Sequence, residues 1–286
     1  MICALTLNHW IKKNNFLKFI TMSEQPTQEF LSEVMDFLTP IIKEAGEMAL
    51  DSWDKIEISK QKDSRDIATK ADVEIENFLK EKIIGKWPDH GFWGEEGERS
   101  NISSDFQWLI DSIDGTKFFI AQAPFFYVHI ALMYNNEAVL GLVYNPVSKQ
   151  LFSASKGNGA YLNGKILSLK ALFSLDKAMV NIDLGAIVGK EEKEKKWLLD
   201  KLSAITEKCY RIRIISGALA VYLVTGAIDA YVDLSGDSKP QDLAARIIIM
   251  QEAGYKVELV ENPFGKKMMI AAQEPLLSEL KKIIND

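Results

Sequence analysis

The sequence predicts a mixed α/β protein, with helices and antiparallel strands in its first half and alternating strands and helices in its second. Three patterns lead there. Between Phe30 and Met48 apolar residues recur at helical spacing. Short strand-like runs then turn at Asn135-Asn136 and Asn163-Gly164, pairs suited to tight hairpin turns. Beyond Ala178, runs rich in Val, Ile and Tyr alternate with helix-like segments, the pattern of a layered α/β half.

The first helix is expected over Thr27 to Trp53, with Pro40 kinking or interrupting it because proline removes a backbone donor. After the polar loop "SKQKDSRD", a second helix is expected from about Thr69 to Gly85. "HGFWGEEGERS" reads as a loop, and "FQWLI" as a short strand that ends in Asp111. "YVHIALMYNNEAVLGLVYNP" and "QLFSASKGNGAYLNGKILSL" each read as a hairpin. In the second half "AMVNIDLG", "YRIRII" and "AIDAYVDL" read as strands. "KEEKEKKWLLDKLSAI" reads as an exposed helix, "SGALAVYLVTG" as a buried one, and "PQDLAARIIIMQEAG" as a helix ending at Gly254. The boundary falls near residues 165–175, giving an N-terminal α+β half over 22–168 and a C-terminal α/β half over 169–286. Residues 1–21 are apolar and basic, in the wrong order for a secretory signal, and are expected to form an extension outside the core.

Composition narrows the function. The chain of 286 residues is 47% hydrophobic and 26% charged, the profile of a globular protein with a sizeable core. Its net charge of −6 argues against a general nucleic-acid binder, because phosphate-backbone affinity comes mainly from Lys and Arg. No apolar run approaches the roughly 20 residues that span a bilayer, so no membrane anchor is expected. Two cysteines, Cys3 and Cys209, make no disulfide framework, which points to a reducing, cytoplasmic compartment. Three histidines lack metal-ligand spacing, so any metal is expected to be a hard ion held by oxygen.

Acids able to share a site stand at Asp72, at Glu95 and Glu96, at Asp111 and Asp114, and at Asp242. Most of these have an ordinary explanation taken alone, such as a solvated helix residue or a favourable charge in a helix's first turn. Asp111 and Asp114 are harder to explain so. A short apolar strand delivers both to its C-terminal end, where α/β proteins bind ligands, and they repel each other unless a cation intervenes. Gly115 permits close backbone approach and Thr116 adds a hydroxyl. Magnesium takes carboxylate and carbonyl oxygens and shares substrate phosphates, so phosphate chemistry on magnesium is the natural reading. An EF-hand does not fit, because its acids fall at positions 1, 3 and 5 of the loop. A haloacid-dehalogenase phosphatase does not fit either, since its nucleophilic aspartate would fall on Ser112.

These residues resemble the inositol monophosphatase superfamily. Its Gly-Glu-Glu, Asp-Pro-[Ile/Leu]-Asp-Gly-Thr and late Trp-Asp are matched by Gly94-Glu95-Glu96, Asp111-Ser112-Ile113-Asp114-Gly115-Thr116 and Gln241-Asp242. "DIATKADVEIENFL", "KGNGAYLNGKIL" and "QEAG" extend the resemblance over residues 30–280. Ser112 stands for the usual proline, Gln241 for the usual tryptophan, and "ISGALAVYL" lacks the family's aspartate. The resemblance implies a layered α/β/α/β/α sandwich of the sugar phosphatase type and a homodimer. It implies two or three Mg2+ ions, the first held by Glu95, Asp111 and the Ile113 carbonyl, the second by Asp111, Asp114 and Asp242. Glu95 also helps hold a third. Thr116 and Asp72 match the pair that orients and deprotonates the attacking water, Gly115 and Thr116 offer amides to phosphate, and Asp233 matches an acid that contacts sugar hydroxyls. Arg213 is a candidate for facing an anionic group. The implied activity is hydrolysis of a small phosphorylated polyol or sugar, inositol 1-phosphate or fructose 1,6-bisphosphate. The alternatives are a 3′-phosphoadenosine 5′-phosphate phosphatase and a non-catalytic relative that binds phosphorylated metabolites.

Overall fold

The computed structural model describes residues 25–61, 67–169, 174–215 and 217–286, so the N-terminal extension lies outside the described residues. The chain divides into two units, Met1–Ile166 with Pro240–Ile249, and Leu167–Lys239 with Met250–Asp286.

In the first unit, helix α1 (Gln28–Trp53) is capped by the Thr27 side chain, which accepts from the Phe30 amide, and buries Leu31, Val34, Leu38, Ile42 and Ala45. It runs unbroken through Pro40. The Thr39 hydroxyl donates to the Met35 carbonyl at 2.8 Å, adding a bond in the turn where proline lacks a donor. Strands β1 (Ile58–Gln61) and β2 (Ile67–Thr69) pair antiparallel, and α2 (Lys70–Lys86) follows directly. Strand β3 (Gly91–Trp93) lies where the sequence suggests only a loop. Its glycine-rich surroundings hide a parallel pairing with β4 (Phe106–Asp114) that buries Phe92. After the short helix α3 (Thr116–Ile120) come β5 (Tyr127–Tyr134), β6 (Glu137–Asn145), β7 (Gln150–Ser155), β8 (Ala160–Leu162) and β9 (Lys165–Ile166). Strands β3 to β9 form one seven-stranded sheet in chain order. Asn135 and Asn136 both take positive φ (47° and 67°) at the β5–β6 turn, as the hairpin signal requires.

Alternation along these strands sorts the residues by face. Trp108, Ile110, Val128, Ile130, Leu140 and Leu142 join α1 and α2 in one core. The opposite face carries Asp111, His129 and Gly141, and a Cβ on Gly141 would meet Ala245 and Ile248 of the returning 240–249 segment.

The second unit begins with a 3₁₀ turn (Leu175–Lys177) and β10 (Met179–Asp183), then α4 (Glu192–Thr206) and β11 (Arg211–Arg213). Gly217–Thr225 is a 3₁₀ segment where an α-helix is expected; its apolar content predicts burial but does not set the helical pitch. Strand β12 (Ala230–Asp233) leads to α5 (Pro240–Glu252), followed by β13 (Lys256–Glu261), β14 (Lys267–Ala272) and α6 (Leu276–Asn285), which the sequence patterns leave unassigned. The five strands order as β11-β10-β12-β14-β13, parallel among the first three and antiparallel beyond. Helices α4 and α6 cover it through Leu198, Ile205, Leu277, Leu280 and Ile284. Both sheets are thus flanked by helices, a mixed α/β fold. Asp242, expected with the C-terminal half, lies in the 240–249 segment that packs with the first unit.

Candidate metal centre and active site

Strand β4 carries on past its expected end at Asp111 to Asp114, with an irregularity in its pairing to β5 between the two. There the Ile113 amide donates to Asp111 Oδ1 at 3.1 Å, and the Thr116 hydroxyl donates to the Ile113 carbonyl at 3.0 Å. Gly115 makes the turn into α3 with φ of 91°, and a Cβ there would press on the Phe125 carbonyl. A side chain at this position would be both strained and crowded.

Glu95 is delivered by a loop that Glu76 holds. The Glu96 amide donates to Glu76 Oε2 at 2.8 Å, and the amides of Gly97 and Glu95 also act on that carboxylate. Cβ atoms on Gly94 or Gly97 would collide with it, which explains the two glycines. Asp242 stands in the first turn of α5. The buried Gln241 beside it donates from Nε2 to the Gly94 carbonyl at 3.1 Å, so the residue in place of tryptophan ties this helix to the Glu95 loop.

Carboxylate oxygens of Glu95, Asp111 and Asp242 come within 4.8 Å of one another, and so do ligand atoms of Asp111, Asp114 and His129. Two like charges 4.8 Å apart repel by about 3.5 kcal/mol at an effective dielectric constant of about 20. Burial first, then Glu95, Asp114, Asp242 and Asp72, push the Asp111 carboxyl well above its usual range. Such a cluster calls for positive charge, and its oxygen donors suit a hard divalent ion. The residues present therefore fit a metal site.

Asp72 sits at the entry of α2 in a reciprocal cap. The Thr69 amide donates to Asp72 Oδ2 at 2.8 Å, the Thr69 hydroxyl donates to the same oxygen, and the Asp72 amide donates to Thr69 Oγ1 at 3.4 Å. Burial raises the Asp72 carboxyl to about 6, aided by Glu96 and Glu95 and opposed by the two Thr69 bonds.

The inositol monophosphatase family model matches residues 31–285. The chain belongs to the inositol monophosphatase family. It is 31% identical over 238 residues to a fructose-1,6-bisphosphatase/inositol-1-monophosphatase of Aquifex aeolicus, covering 81% of this chain and 87% of that protein. Inositol monophosphatase 1 of Rattus norvegicus is 30% identical over 261 residues, covering 86% and 92%. The solved extragenic suppressor protein suhB of Bartonella henselae superposes with a TM-score of 0.79 at 26% identity, covering 89% of this chain and 99% of that one. This inositol monophosphatase family member is accordingly an enzyme, a phosphatase that hydrolyses phosphoric monoesters.

Within this family member, the first unit holds Asp72, Glu95, Asp111, Ile113, Asp114, Gly115, Thr116 and Asp242. Asp233 and Arg213 belong to the second. Asp233 is fully buried at the end of β12, where its carboxylate accepts from the Ser235 and Gly236 amides and the Ser235 and Ser238 hydroxyls. Arg213 donates to the Ile212 carbonyl at 3.0 Å.

Three residues escaped the sequence reading. Glu76 falls one turn after Asp72 on α2, a spacing that could have marked it. Arg246 stands in the same relation to Asp242 on α5, and only His129 had no such signal. His129 is wholly enclosed, with Nε2 3.3 Å from Asp114 Oδ2. Burial first and then Arg246 hold its pKa well below the usual histidine value, against the pull of the Asp242 backbone carbonyl. Arg246 is almost fully buried one turn beyond Asp242, and its Nε donates to the Asp242 carbonyl.

Proposed function

We propose that the enzyme is a Mg2+-dependent phosphomonoesterase acting on inositol monophosphate, fructose 1,6-bisphosphate or both by direct attack of water. The observation that carries this reading is the buried Asp111 carboxyl with four other carboxylates acting on it, in a chain of this phosphatase family. In this reading Glu95, Asp111, the Ile113 carbonyl, Asp114 and Asp242 hold two or three ions. Divalent cations bound there supply positive charge to the phosphate and make water more acidic. Asp72 accepts the proton from the attacking water at its carboxylate; a pKa of about 6 leaves it ionised at neutral pH and still basic enough for the transfer. Thr116 orients that water, and Gly115 and Thr116 offer backbone amides to the phosphate. The new P–O bond forms as the ester P–O bond breaks, and the leaving alkoxide takes its proton from solvent. Asp233 and Arg213 enter as substrate contacts on the strength of the resemblance and of sequence position. The reading also includes a homodimer in the cytoplasm, resting on the same resemblance and on the low cysteine count.

The test is phosphate release from inositol 1-phosphate, fructose 1,6-bisphosphate and 3′-phosphoadenosine 5′-phosphate, with and without Mg2+. Magnesium-dependent turnover of either of the first two is expected, with Asp114→Asn lowering it at least about 100-fold. Turnover of the nucleotide alone would replace the substrate assignment, and inactivity on all three would favour a binding role.

A further inference from the structure

The structure sets a nitrogen among the oxygens of the metal cluster. His129 pairs in register with Asp111 across β4 and β5, so both side chains leave the same face of the sheet. Its ring is 0% exposed; the Asp242 backbone carbonyl acts on it, but among the described residues neither ring nitrogen makes a hydrogen bond of good geometry. Leaving a buried polar group in that state costs about 1–3 kcal/mol, so such groups ordinarily have a partner. The ring points at one. Nε2 stands 3.3 Å from Asp114 Oδ2, and the imidazole, Asp111 and Asp114 each bring a ligand atom within 4.8 Å of the others.

Two carboxylates and a neutral imidazole balance the charge of one divalent cation, which suits a largely buried position. Magnesium takes oxygen donors and gives up its waters reluctantly, whereas imidazole suits first-row transition ions. We propose that His129 is a nitrogen ligand, through Nε2, to a divalent ion shared with Asp111 and Asp114, and that it tilts this position from Mg2+ towards transition divalents such as Mn2+. The inference rests on the metal-dependent reading above and specifies which ions that site prefers. It also revises the expectation of an all-oxygen site: no spacing in the sequence joins residue 129 to residues 111 and 114, and strand register alone brings them together.

The test uses the full chain stripped of metal and loaded with Mn2+, read by pulsed electron paramagnetic resonance and by calorimetry. A coupling from directly bonded 14N is expected in the wild type and absent in His129→Gln. The ratio of Mn2+ to Mg2+ affinity should fall at least tenfold in that variant. Should His129→Gln fail to fold, wild-type protein carrying 15N-histidine decides, because a true ligand replaces the 14N coupling by a 15N one. Mn2+ that binds, depends on Asp114 and shows no nitrogen coupling would overturn the histidine ligand and leave the metal reading standing. Mn2+ that fails to bind, or binds equally to Asp114→Asn, would overturn the metal reading itself and this inference with it.

Discussion

The His90 ring is stacked on Phe106 with centroids 4.6 Å apart, beside Trp87 and Trp108, and its Nδ1 accepts from Trp108 Nε1 at 3.1 Å. Protonating Nδ1 would set a donor against a donor. Burial lowers the pKa from the usual 6.5 to about 4, so as pH falls the unfolded chain takes up the proton first. The contribution is therefore complete above about pH 6.5 and is lost as pH falls towards 4. Discounted for a half-buried ring, the loss is on the order of 1–2 kcal/mol. Urea unfolding at pH 7 and pH 4.5 should show the wild type losing that much more than His90→Phe. Asp72→Asn separates the helix cap that Asp72 makes from the proton-accepting role proposed for it. Its remaining oxygen can still accept from the Thr69 amide, so the helix cap and the melting temperature should change little. Turnover should fall by about 100-fold or more, because the amide accepts no proton. The acids of this site could be read from the sequence because each sits in a short local motif. His129 could not, since what it touches is fixed by strand register, whereas the spacing of Arg246 one turn after Asp242 could have marked it.

At the scale of elements, α5 and β6 meet at Gly141. An added Cβ would fall 2.6 Å from Ile248 Cγ2 and 2.8 Å from the Ala245 carbonyl oxygen. Gly141→Ala should cost about 1–3 kcal/mol in urea unfolding, because a close-packed contact has no room to give. It should also weaken metal binding in calorimetry, since the displaced helix carries Asp242. Elements with strong local signals matched the sequence reading: the Asn135-Asn136 hairpin, the Thr69-capped helix, and α4. The misses share a cause. Pro40 does not interrupt α1, where the Thr39 hydroxyl adds a bond in the same turn. Strand β3 exists through its pairing with β4, and the Gly217–Thr225 pitch through packing that apolar content does not encode. The unassigned β13 and β14 pair with each other and with β12, and α6 buries Leu276, Leu277, Leu280, Ile283 and Ile284.

For the whole molecule, the acids around Asp111 are crowded only when the chain is folded; unfolded, they lie scattered between residues 72 and 242. A divalent ion should therefore bind the folded state almost exclusively. At 100 times its dissociation constant it adds about 2.7 kcal/mol, so a chelator should lower the melting temperature by several degrees and excess Mg2+ or Mn2+ should restore it. The same melting experiment on Asp111→Asn should show a smaller response to metal, because a ligand and its repulsion are both gone.

The return of Pro240–Ile249 to the first unit bears on how the protein is made. A ribosome delivers Asp72, Glu95, Asp111 and Asp114 early, then spends the whole of residues 167–239 on the other unit before Asp242 is released. Until that moment the nascent first unit exposes the sheet face around Gly141 and carries an incomplete set of carboxylates. Assembly of the acidic cluster thus waits for the last segment of the first unit to be made, and a ribosome that stalls before residue 240 leaves a chain without Asp242.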